Sequence, residues 1–257
     1  MMIVPEPSLA FGFANNPVGT HGSRTIMLAE LRRLLAACPA SGGLEDYRSA
    51  VVGDNVLLKK TTAGRHASFR ALRELYALNR GTLLFRALRD LWDDDVQSQP
   101  LLALLCAVAR DPILRATAKS VLEAGPGTVI TRRMLARLVG DAFPGRYGAG
   151  HLYHIGGNVA SSWQQSGQLR GRNTKVRARA ESRPAAVAYA LLLGYLCGGR
   201  GEGLFDTLWS HLLDAQVHVL HEHACAAGQR GWIDYRRGGG VTEVAFKHLL
   251  RAEGSQQ

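Results

Sequence analysis

The chain has 257 residues, 46% of them hydrophobic, with 31 basic and 21 acidic side chains and a formal net charge of +10. That length and apolar content exclude wholesale disorder, and a chain of this size folds without disulfide or metal staples. The four cysteines, Cys38, Cys106, Cys197 and Cys225, form no C-x-x-C pair, which argues against a disulfide framework or a cysteine zinc finger and fits a reducing, cytoplasmic setting.

The first twenty or so residues mix Pro, Gly and Asn and read as irregular, without the basic start and apolar core of a signal peptide. A helix is predicted from Ser23, with Ile26, Leu28, Leu31, Leu34 and Leu35 as its apolar stripe and Gly42-Gly43 beyond its end. A second helix spans 44–52. A third, capped by Thr61 or Thr62, turns Phe69, Leu72, Leu75 and Tyr76 inward. Helices follow over 83–92, 101–109 and, after Asp111-Pro112, to Leu122. Thr131 caps another, which Pro144-Gly145 ends. The apolar run between Arg183 and Arg200 is shorter than the ~20 residues of a bilayer span, so it reads as a buried helix and no membrane partner is expected. Strand-like alternation occurs at 168–179 and again at 232–237 with 241–246, where Gly238-Gly239-Gly240 suggests a loose loop.

The fold expected is mainly α, a helical bundle with winged helix-turn-helix-like units and two short β-hairpins. Its parts are an N-terminal helical domain with a helix-turn-helix-like unit (1–125), a winged-helix segment (126–183) and a C-terminal helical and hairpin module (184–257).

The charge is localised. Windows 59–73 and 170–183 hold eleven of the 31 basic residues against one acid, Glu181, which accounts for the whole net charge. Two short basic segments on a neutral body suggest polyanion contacts. Residues 131–183 read helix, Gly-rich turn, helix, basic hairpin, the order of the second half of a winged helix. In the second of these helices Leu152, Ile155, Val159 and Trp163 share one side, and His154, Asn158, Ser161 and Gln165 the other. Amide and hydroxyl side chains on an acid-free face suit base reading. Arg170, Arg172, Lys175, Arg177 and Arg179 of the hairpin suit phosphates. Lys59, Lys60, Thr61, Thr62 and Arg65 surround a second helix N-terminus, a natural phosphate position.

His211, Asp214, His218, His221 and Cys225 recur at helical spacing and are metal-ligand types. One straight helix rarely supplies a closed ligand shell, so neither a metal nor another cofactor is expected. Neither a Walker loop nor a G-x-S-x-G or H-E-x-x-H motif is present, and no enzyme is expected.

Residues 53–62, then Arg65 and 70–76, followed by 100–105 and 109–115, form an ordered pattern of apolar positions and polar anchors. Over residues 20–170 this pattern resembles the BrxA family of bacteriophage-exclusion (BREX) defence systems. The resemblance implies a small, mostly helical, non-enzymatic DNA-binding protein encoded beside other defence genes. It places Asn55, Lys59, Thr61, Thr62 and Arg65 in the first helix-turn-helix-like unit. Residues 184–257 depart from the family pattern and are read as a dimerisation or partner-docking module. The function expected is therefore an accessory DNA-binding factor in phage defence, with duplex DNA and other defence-system proteins as partners. The alternative is a scaffold or assembly subunit that binds a protein of a defence complex.

Overall fold

Four helix starts are written as an extended capping residue with an acceptor side chain, the last of them Thr207, whose hydroxyl accepts from the Ser210 N–H at 3.3 Å. The Thr61 hydroxyl accepts from the Gly64 N–H at 3.0 Å, Asp111 from the Ile113 and Leu114 N–H groups, and Thr131 from the Met134 N–H at 3.1 Å. Pro112 sits in the first turn that Asp111 caps, and Pro100 and Pro184 lie in two more first turns, where a missing N–H costs nothing. The computed structural model describes residues 3–16 and 19–251.

The described chain is mainly helical, with two small antiparallel hairpins. The helices before the first hairpin are α1 (Leu28–Ala37), α2 (Leu44–Arg48), α3 (Thr62–Tyr76), α4 (Leu83–Trp92), α5 (Gln99–Arg110), α6 (Pro112–Glu123), α7 (Arg132–Ala142) and α8 (Ala149–Gln165). Strands β1 (Leu169–Arg170) and β2 (Val176–Arg177) follow, then α9 (Pro184–Leu196), α10 (Leu208–His211) and α11 (Val217–Gln229). The second hairpin, β3 (Asp234–Gly238) and β4 (Val241–Ala245), precedes α12 (Lys247–Leu250). No helix among the described residues is long and apolar enough to cross a membrane.

Helices α5 and α9 form the centre. Every residue of α5 from Leu101 to Ala109 is buried, as is α9 from Ala185 to Gly194. Helix α5 packs on α3, α4, α6 and α9, and α9 packs on α4, α5, α10 and α11. The expected boundary at residue 184 is thus crossed by the core itself. Residues 184–257 do not stand apart as a module, because their first helix is apolar all round and is buried among the N-terminal helices.

The segment expected at 126–183 packs against α6, the helix before it. Val129 pairs with Val176 as an antiparallel bridge, so Val129, β2 and β1 lie side by side. With α6 before Val129 and α7 and α8 after it, the chain order is helix, single bridge residue, helix, helix, hairpin. The α7–α8 contact is close because Gly156 has no side chain: a Cβ there would collide with the Arg132 carbonyl oxygen. The other expected helix-turn-helix unit is looser. Residues 54–61 separate α3 from the π turn that ends α2, longer than the roughly three- to four-residue turn of that motif.

Three further expectations are corrected. Helix α1 starts at Leu28, not Ser23, because residues 19–27, after a short 3-10 turn at Thr20–Gly22, run across α8. The second hairpin has a tight turn, not a loose loop: Gly238 pairs with Val241, and Gly239 and Gly240 both take positive φ (57° and 78°), as a two-residue primed turn requires. The residues from His211 to Cys225 do not share one helix, since Asp214 has φ 56° and the chain breaks between α10 and α11. Asp214 pairs with Arg177, His221 stacks on Phe205 between Tyr235 and Glu202, and His211 meets Asp206.

Candidate nucleic-acid interface

Helix α8 buries the side expected of it. Ile155, Val159 and Trp163 are fully enclosed, and the Trp163 indole N–H donates to Thr117 Oγ1 at 2.9 Å. Its polar side is divided. Residues 19–28 lie along one flank and engage its two amide side chains. Asn158 Nδ2 donates to the His21 carbonyl at 3.1 Å. Gln165 accepts from the Leu28 N–H and donates to Thr25 Oγ1, each at 3.0 Å. Gln165 is thereby committed at both amide atoms, and Asn158 at its nitrogen. Ser161 turns back onto the Gly157 carbonyl at 2.9 Å, and His154 remains exposed.

Beneath that flank, Asp111 accepts from His21 Nδ1 at 2.7 Å and from the His21 backbone N–H at 3.0 Å. His21 Nε2 lies 2.8 Å from Ser162 Oγ, which also accepts from the Ile26 N–H. This is the spacing of a charge-relay triad. All three side chains are buried, however, and neither of the two open hollows of the winged unit is lined by any of them. The arrangement clamps the N-terminal segment to α8. Burial alone would raise the Asp111 pKa, but His21 and the backbone N–H groups outweigh it and hold the carboxyl below its ordinary value.

The open strip of α8 carries Tyr153, His154, Gly157, Ser161 and Gln164. Beside it, the start of α7 and the hairpin loop enclose a hollow of about 300 Å³ lined by Arg132, Gly157, Ser161, Arg172 and Lys175. Arg132 packs its guanidinium 4.8 Å from the centre of the Tyr153 ring. A Cβ on Gly157 would lie 2.9 Å from Arg132 Nε, so the glycine leaves the room that the arginine occupies. The Lys175 ammonium reaches Gln164 Oε1. Burial, and then the neighbouring Arg132 charge, lower the Lys175 pKa. Arg132, Arg172 and Lys175 form no ion pair among the described residues. Three cations in one hollow without a carboxylate attract an anion.

The remaining wing residues separate. Arg170 and Arg172 are exposed. Arg177 is buried and structural: its guanidinium meets both Asp214 oxygens at 2.8 and 2.9 Å, and its Nε donates to the Val121 carbonyl at 2.8 Å. Arg179 is exposed but lines a different groove, against α6 and α10.

The earlier basic segment is also partly committed to holding the fold. Lys59 pairs with Glu30 at 3.1 Å, Thr61 caps α3, and Arg65 donates to the carbonyls of Val52 and Gly53. Asn55 fixes the loop by bonding the Lys59 N–H and carbonyl. Lys60 and Thr62 stay exposed, as do His66, Arg70 and Arg73 on the outer face of α3.

Arg132, Arg133 and Tyr153 were not among the sequence candidates. A signal was present: Arg132 and Arg133 occupy a first helical turn with no acid, where the helix dipole disfavours cations unless an anion joins them. A scan against protein-family models and a search of curated proteins gave no match for this chain.

Proposed function

We propose that this protein binds duplex DNA without catalysis. Backbone phosphates sit in the hollow among Arg132, Arg172 and Lys175, and the open strip of α8 faces a groove. The observation that carries this reading is that hollow, cationic and free of acid, at the junction of α7, α8 and the wing. The chain order of the winged unit supports it, since wing and helix starts in such units meet the DNA backbone. The resemblance to the BrxA family extends the reading to an accessory role in bacterial phage defence.

Phosphate contacts by Arg132, Arg133, Arg170, Arg172 and Lys175 give a log–log salt slope of about −4.5. A fluorescence-anisotropy titration of labelled duplex across a salt series tests this. Saturable binding that weakens with that slope is expected; no binding to any duplex at low salt overturns the reading.

A further inference from the structure

A second, larger groove of about 920 Å³ runs between α6, the segment after β2 and the corner joining α10 to α11. Its volume falls in the roughly 300–1,000 Å³ range of small-molecule sites. Ala118, Leu122, Leu208 and Ala215 give it a buried or half-buried apolar wall, while Lys119, Arg179 and His211 stand exposed at its edge. Of its acids, Asp214 is held by Arg177, while Glu123 makes only a long, exposed contact of 3.8 Å with Lys119, which leaves that ammonium open to a ligand. Arg179 forms no ion pair or hydrogen bond among the described residues, so the groove offers a cation beside apolar surface.

We propose that this groove binds a small organic anion, a carboxylate or phosphate carried on an apolar or aromatic body. The anionic group meets Arg179 and Lys119, and the body covers the apolar wall. The inference needs nothing from the DNA reading. An occupant would touch both α6 and the Asp214 corner to which Arg177 of the wing is moored.

The test is a titration of the full chain with 8-anilinonaphthalene-1-sulfonate, an aromatic anion whose fluorescence rises on leaving water. Saturable binding of one dye per chain is expected. Changing Arg179→Ala together with Lys119→Ala should weaken it about tenfold, as loss of charge-assisted contacts does. Ala215→Trp, which fills the groove, should abolish it, and Arg33→Ala on the exposed side of α1 should leave it unchanged. Circular dichroism confirms folding of each variant. If Ala215→Trp does not fold, the double alanine variant decides, since both of its side chains are exposed. Displacement by adenosine monophosphate marks a phosphate ligand, and displacement by 2-naphthoate a carboxylate. No saturable binding, unchanged binding in the double variant, or displacement by neither competitor overturns the proposal.

Discussion

Arg172 and Arg177 sit five residues apart in one hairpin and take opposite roles. Arg177 is 3% exposed and shares two hydrogen bonds with Asp214. Removing one partner of a buried pair costs about 3–5 kcal/mol, and Asp214 keeps some solvent contact, so Arg177→Ala should cost about 3 kcal/mol in urea unfolding. Arg172→Ala should change stability by under about 0.5 kcal/mol, as exposed substitutions do, while weakening DNA binding. Equal stability of the two variants would contradict both assignments. Asp111 gives a pH signature. Its folded pKa lies below its ordinary value, so its contribution is complete above the unfolded pKa of about 3.9 and disappears as pH falls through the folded one. Asp111→Asn should lower stability at neutral pH and flatten the loss that sets in as pH falls below about 4, read from urea midpoints at each pH.

At the scale of the element, α8 is a helix with three surfaces. One is buried, one is covered by residues 19–28, and one lies open beside the wing hollow. The middle surface carries the Asn158 and Gln165 that sequence projection assigns to bases. Asn158→Ala should therefore lower the unfolding midpoint and leave the ranking of DNA sequences unchanged; a changed ranking would restore Asn158 to the interface. Arg132→Ala with Arg172→Ala should reduce the magnitude of the salt slope by about 2, close to one for each phosphate no longer neutralised, and weaken all sequences alike. A salt slope equal to that of the unaltered protein would remove the hollow from the interface.

At the scale of the whole molecule, α9 ties the ends of the chain into one core. A fragment of residues 1–183 should lack a cooperative thermal transition, because it exposes the α9-facing sides of α4 and α5 and strips Arg177 of Asp214. A sharp transition in that fragment would show that the N-terminal part folds alone. Helices α4 to α9 were legible in the sequence, because capping residues, first-turn prolines and apolar periodicity act locally. The acid-free wing and the inward face of α8 were legible for the same reason. What escaped depended on distant partners. Arg177 is indistinguishable from Arg172 until Asp214, 37 residues later, is brought beside it. The segment across α8 has no period to betray it, since its hydrogen bonds use the backbone of Ile26 and Leu28 and the carbonyl of His21.

The clamp on α8 also imposes an order of events on a growing chain. Residues 19–28 are synthesised early, yet their partners on α8 lie 129 to 141 positions downstream. Asp111 emerges sooner and can hold His21 first. Closing so long a loop before its contacts form slows folding. The flank of α8 is then sealed late, although α7 and the Trp163–Thr117 bond already hold the helix.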